Sequence, residues 1–238
     1  MGTCFAETVP DYGQIYIPEY FIRQYEIKNN IEFSNEGLIN FVNKIQELEF
    51  KHLKEIDDIV IEVSNDESVF SNKKPIVHIK FSIAKNCFQL TPPIKVILKH
   101  TFQPEQIKKG DSSLQSLKVY EEISEQTAIY HAIYKGNYSM GQREFINKHI
   151  IFCDRGHCYH YVSSIPDKLN PFQEDIVRCI CYFRVMIFEK GDKSFNFDIY
   201  EQIDKKLTFN KTIESVPQRV KDFKENLIKP MNKIKKFE

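Results

Sequence analysis

A chain of 238 residues is long enough for one large domain with its own core. Its 33 basic and 33 acidic side chains cancel, which excludes an overall basic field for nucleic acid. The first basic residue is Arg23, so no secretory leader is expected, and the longest apolar tract, 176–188, is broken by Arg178 and Arg184, so no membrane span is expected. Without a leader the six cysteines are expected to stay reduced, the sequons at Asn137 and Asn210 to stay silent, and the protein to be cytoplasmic.

In chain order, residues 1–34 hold Pro10, Gly13 and Pro18 among aromatics without periodicity, which predicts an irregular N-terminal arm. Gly2 and Cys4 are spaced for dual acylation, but Ala6 stands where that signal carries Ser or Thr. A domain is expected over 35–238. It starts with a helix over 36–56 capped by Asn35, with Leu38, Phe41, Val42, Ile45, Leu48, Leu53 and Ile56 on one side. Strands are expected at 58–64 and 76–84. A short helix follows Pro92 and Pro93 to about Phe102, and a further helical turn over 104–109 ends at Gly110.

From there the apolar period is two. Strands are predicted at 115–123, 127–135, 143–153, 157–165, 177–189 and 194–204, with tight hairpins over 153–157 and around Gly191. The last stretch, 215–237, changes to a helical period. Val216, Val220, Phe223, Leu227, Met231 and Ile234 form one stripe, and Arg219, Lys221, Lys224 and Glu225 are assigned to the opposite face. Ser215 and Gln218 are spaced as a capping box. A long terminal helix after antiparallel strands buries its stripe on the concave face of that sheet, and a sheet curled round a helix leaves room for a cavity.

Four stretches of this chain resemble the START family of lipid-transfer domains. Leu117-Lys118-Val119-Tyr120-Glu121-Glu122-Ile123 with Thr127-Ala128-Ile129-Tyr130 is similar to the family's strand pair. Gln142-Arg143-Glu144-Phe145-Ile146 stands where the family shows Pro-Arg-Asp-Phe-Val, and Ile176-Val177-Arg178 where it shows Gly-Val-Ile-Arg. Gln202-Ile203-Asp204-Lys205-Lys206 resembles its Gln-Val-Asp motif before the terminal helix. The likeness spans about 38–235 by element order. It implies an α+β helix-grip fold: a curved antiparallel sheet wrapped around the long C-terminal helix, with an N-terminal helix and two short helices. The chain departs from the family in lacking the Trp-Asp before the strand at 115. It has His149 in place of a second Arg and Ala132 in place of the acid of cholesterol-binding members. The fold implied survives these departures; a cholesterol assignment does not.

Candidate site residues follow from both readings. Tyr130, Ala132 and Tyr134 alternate on one strand face and Ile129, His131 and Ile133 on the other; the pattern fits either set facing a cavity, and the resemblance favours the first. Arg178 and Arg184 sit in an apolar stripe with Ile180, Tyr182 and Met186, so each needs an ion pair or a charged ligand such as a phosphate. The resemblance gives Arg143 a strand-opening role. The expected lipid contacts are therefore Tyr130, Tyr134, Arg143, His149, Arg178, Tyr182, Val220, Phe223 and Leu227. Tyr138 and Met140, between Gly136 and Gly141, are the expected gate. His149, Cys153, His157, Cys158 and His160 are zinc-ligand types, but strand alternation splits them between two faces. Cys179 and Cys181 lack a readable base and read as core or cavity lining.

These residues imply a monomeric lipid-binding and lipid-transfer protein holding one lipid, phospholipid or other. It would touch membranes transiently and need no cofactor, metal or nucleic acid. No catalytic residue is assigned. The alternatives are a ligand sensor with a protein partner, or a helix-grip enzyme acting on a hydrophobic substrate.

Overall fold

The alternating run that begins at Leu114 is realised as the larger part of one sheet. The computed structural model describes residues 34–65, 75–136, 141–165, 176–205 and 209–236. Residues 1–33 of the predicted arm over 1–34, with Gly2 and Cys4, and the gate residues Tyr138 and Met140 lie outside the described residues. The elements run α1 (Asn35–Gln46), β1 (Lys51–Ile56), β2 (Ile59–Ser64), β3 (Ile76–Ala84), a 3-10 turn (Lys85–Cys87), α2 (Ile94–Phe102), α3 (Pro104–Gly110), β4 (Leu114–Ser124) and β5 (Thr127–Tyr134). They continue as β6 (Gln142–Asp154), β7 (His157–Ser164), β8 (Ile176–Arg178), β9 (Ile180–Lys190), β10 (Ser194–Asp204), α4 (Phe209–Glu214) and α5 (Val216–Met231). The sheet order is β1-β2-β3-β10-β9-β7-β6-β5-β4, antiparallel throughout, with β8 added parallel to the start of β6.

The inner face of this sheet packs on α5. Val77, Ile79, Phe81, Phe188, Phe197 and Ile199 from the sheet meet Val216, Val220, Leu227 and Met231 from the helix. Phe223 sets its ring edge-on to Phe81 and Phe197, centroids 5.8 and 5.5 Å away. The outer face takes α1, whose Leu38, Phe41, Val42 and Ile45 pack on Phe183, Val185 and Ile187. Each such buried side chain contributes about 1.5–3 kcal/mol over leaving it in water.

Three local expectations are corrected. The first helix ends at Gln46, and 51–56 is a strand rather than its last turns. Asp57, at φ 53°, makes the tight turn that folds β1 back on β2, and the ladder bonds this supplies outweigh a helical spacing that leaves Leu53 47% exposed. The cap of α1 is Ser34, whose hydroxyl accepts from the Gly37 amide at 3.1 Å, not Asn35. The capping box at Ser215 does not form. Helix α4 precedes it, so Ser215 is itself helical, its hydroxyl donates to the Thr212 carbonyl, and Gln218 turns to Asp222.

The hairpin at 153–157 closes through Arg155 and Gly156, both at positive φ (46° and 88°). That turn sets Cys153 directly opposite Cys158 with Cα atoms 4.2 Å apart, and the two are joined by a disulfide. This overturns the expectation that all six cysteines remain thiols; Cys87, Cys179 and Cys181 are free.

Pro230 lies inside α5, where a kink or fraying is expected. The helix ends one residue later, at Met231. The Asn226 carbonyl, which a proline cannot serve, instead accepts a hydrogen bond from His100 Nε2 at 3.0 Å. His100 thereby clips α2 to the terminal helix. His100→Ala is expected to lower stability by about 1–3 kcal/mol, because a half-buried carbonyl loses its donor. In a Pro230→Ala background the restored amide serves that carbonyl, so the same change is expected to cost less than about 1 kcal/mol. Urea denaturation of the four proteins checks this; equal costs in both backgrounds would remove the clip.

Candidate functional site

Strand register builds the site. Gln202 pairs with Phe183 but Ile203 pairs with Cys181, so Tyr182 is the extra residue of a β-bulge. Regular alternation would give Arg178, Tyr182 and Arg184 one face. The bulge breaks it: Arg184 and Met186 turn inward, while Tyr182 packs outward against the α1 cluster. A row of inner-face residues then crosses four strands, Glu201 beside Arg184, Arg184 beside Val162, and Val162 beside His149.

Over the β4–β7 half of the inner face the packing is open. A cavity of about 200 Å³ lies there, bounded by α2, α3 and α5. Leu117, Ala132, Phe145, Val162 and Met186 supply apolar wall, and Arg184, Lys205, Arg219, His149 and His160 supply polar groups. The other half, under β3 and β10, is filled by the phenylalanine cluster, apart from a void of about 30 Å³ beside Val220 and Phe223.

Of the expected lipid contacts, the structure brings four to the cavity wall: Tyr134, His149, Phe223 and Leu227. Val220 borders only the smaller void. Tyr130 faces the same side but is spent on structure: its hydroxyl donates to the Phe102 carbonyl at 2.8 Å and its ring lies 4.5 Å from that of His149. Arg143 donates to the carbonyls of Lys205 and Gly141, tying the end of β10 to the start of β6. Arg178 is on the outer face, where it holds the fully buried Glu144 at 2.7 Å, with His131 on the other carboxylate oxygen at 2.9 Å. Arg143, Arg178 and Tyr182 thus do not line the cavity.

Sequence reasoning missed four of the polar groups. Arg219, assigned to the outer side of the helix, points inward and holds Glu201 through both terminal nitrogens, at 2.7 and 3.2 Å. Its spacing carried the signal, three residues after Val216 and four before Phe223. Glu201 is 2% exposed, and Arg184 approaches it at 3.5 Å. Lys205 lies one residue past β10, and His160 shares a 3.0 Å hydrogen bond with His149.

Electrostatics follow from burial. Burial alone would push the Glu201 carboxyl up, but the Arg219 guanidinium, with Lys205 and Arg184, outweighs it and holds it down to about 2. Burial, reinforced by Arg219, lowers the Lys205 ammonium to about 8. His149 falls to about 3 through burial and then Arg184, and His160 falls for the same reasons and because of His149. Both imidazoles are neutral at neutral pH. Burial raises the Cys181 thiol to about 12, so it is a wall group and not a nucleophile. His149 and His160 point inward while Cys153 is exposed in its disulfide. Among the described residues no three His, Cys, Asp or Glu side chains gather as a metal site.

No protein-family model and no curated protein sequence matches this chain. Solved structures do. The fold is similar to human STARD10, at a TM-score of 0.69 and 14% identity, over 82% of this chain and 80% of that one. It is similar to human StAR-related lipid transfer protein 5, at 0.63 and 11%, over 83% and 94%. It is also similar to the lipid transfer and protein localization domain of human StarD13, at 0.59 and 14%, over 84% and 98%. A sheet of this order gripping a bent C-terminal helix is therefore the helix-grip fold of the START domains.

Proposed function

We propose that this protein binds one lipid in the cavity beneath α5 and carries it between membranes. The observation that supports the reading is the cavity itself. It lies between sheet and terminal helix in a fold shared with proteins named for lipid transfer. An apolar wall with a few placed polar groups is the usual make-up of a site for a hydrophobic ligand. Each methylene taken from water contributes about 0.8 kcal/mol. No helix among the described residues is long and apolar enough to cross a membrane.

Entry requires an opening, for which the loop carrying Tyr138 and Met140 remains our gate. Docking falls to the lysines after α5. Lys229 is engaged by Glu225 at 2.7 Å, which leaves Lys233, Lys235 and Lys236 as the basic end facing a membrane. Native mass spectrometry of the purified chain is expected to show one co-purifying lipid, and vesicle assays to show its transfer. Replacing the three lysines by glutamine is expected to slow transfer from anionic vesicles at low salt and to leave neutral vesicles unaffected. A chain that retains no lipid and transfers none would end this reading.

A further inference from the structure

We infer that the ligand of this cavity is an anionic, single-chain amphiphile, with its charged head held by Arg184, Lys205 and Arg219. The inference rests on the lipid-binding reading and narrows it to a ligand class.

Charge is the first argument. Three cations, Arg184, Lys205 and Arg219, line one cavity. Two carboxylates face them. Glu201 is committed to both guanidiniums. Asp111 also lines the cavity, but it accepts from the amide and hydroxyl of Ser113 in the turn before β4. One cation is therefore in excess. Arg219 Nε is buried without a hydrogen-bond acceptor, Arg184 Nε has only its 3.5 Å ion pair with Glu201, and Lys205 is left to share the field of Glu201 and Asp111 with Arg219. Desolvated cations and orphaned donors are costly unless an anion or acceptor answers them. A carboxylate or phosphate does both at once, because its oxygens match the guanidinium fork. Arg184 and Arg219 keep 30% and 26% of their side-chain surface open, and both border the cavity.

Size is the second argument. About 200 Å³ is below the ~300–1,000 Å³ of sites for drug-sized ligands, so a two-chain phospholipid exceeds it. Shape fits one chain. The cations stand on β9, just past the end of β10 and on α5, and the apolar wall of Leu117, Ala132 and Phe145 stands on β4, β5 and β6. From β9 to β5 is three strand spacings, a span of about 14 Å. A head at the cations therefore leaves its chain lying across the sheet.

The test compares decanoate, 1-decanol, inorganic phosphate and phosphatidylcholine vesicles as probes of the full chain, by direct titration. Decanoate is expected to bind one per chain and at least about 10-fold tighter than decanol, and phosphatidylcholine is not expected to be extracted. Lys205→Met is expected to weaken decanoate by about 10- to 100-fold, leave decanol unchanged and leave the thermal midpoint in place. Decanol binding as tightly as decanoate, or Lys205→Met weakening both equally, would overturn the anionic head while leaving lipid binding intact. Extraction of phosphatidylcholine would overturn the single chain. Phosphate alone binding as tightly as decanoate would make this a free-anion site. Uptake of no amphiphile at all would instead end the lipid-binding reading on which the inference stands.

Discussion

Glu201→Gln is expected to destabilise the fold by about 3–5 kcal/mol at pH 7, the cost of removing one partner from a buried ion pair. The change leaves the guanidiniums of Arg184 and Arg219 facing each other and Lys205 without their shared carboxylate. Two controls make the result specific. Adding Arg219→Met to Glu201→Gln removes an orphaned charge, so the double variant is expected to regain part of the loss. The second control is pH. A carboxyl held on folding from 4.5 down to about 2 contributes stability that is complete above about 4.5 and lost as pH falls through about 2. That contribution is on the order of 3 kcal/mol. The gap between wild type and Glu201→Gln is therefore expected to close on acidification between about pH 5 and pH 2, measured by urea denaturation at each pH. A variant that loses less than about 1 kcal/mol would show the cluster to be solvated like a surface pair. If the cavity holds an anionic head, the same variant is expected to bind decanoate more tightly, since the anion takes the place of the lost carboxylate.

Ala132→Phe is expected to abolish lipid uptake, by more than about 100-fold or about 2.7 kcal/mol, while leaving the thermal midpoint unchanged or higher. Ala132 is buried on the inner face of β5 and forms part of the cavity wall, so a benzyl group there occupies the space a ligand needs. Larger side chains destabilise a packed core because nothing can make room. Here a void receives the ring, and filling it restores contacts that the wall lacks. Fluorescent-lipid titration together with a thermal melt checks both halves. Uptake at the wild-type level would place the ligand elsewhere. A fall in midpoint of many degrees would mean the wall is already tightly packed.

Local chemistry was enough for most of the fold. Strand alternation from Leu114 to Asp204 and the Gly-containing turn at Arg155-Gly156 are dictated by neighbours a few residues apart, so they were legible in the chain. So was the stripe from Val216 to Met231, and with it the sheet-and-helix grip. The order of strands put Ala132 and Tyr134 on the inner face once one face was chosen, since alternation leaves two sets to choose between.

What the tertiary structure decided concerns pairing partners distant in sequence. Residues 51–56 satisfy a helical spacing, yet β2 offers a complete ladder, and only that partner makes them a strand. Tyr182 looks like one step of a regular strand; the register of β10 makes it a bulge and separates Arg178 from Arg184. Arg178 then meets Glu144 on the outer face, and Arg184 meets Glu201 inside. The cationic cluster draws Arg184, Lys205 and Arg219 from a strand, the residue after another strand, and a helix. Side-chain period is a property of one segment, but the face a segment presents depends on its register with another, and a single extra residue reverses it. The chain by itself therefore determined a sheet gripping a helix, and the packing of that helix on that register determined which charges the cavity holds.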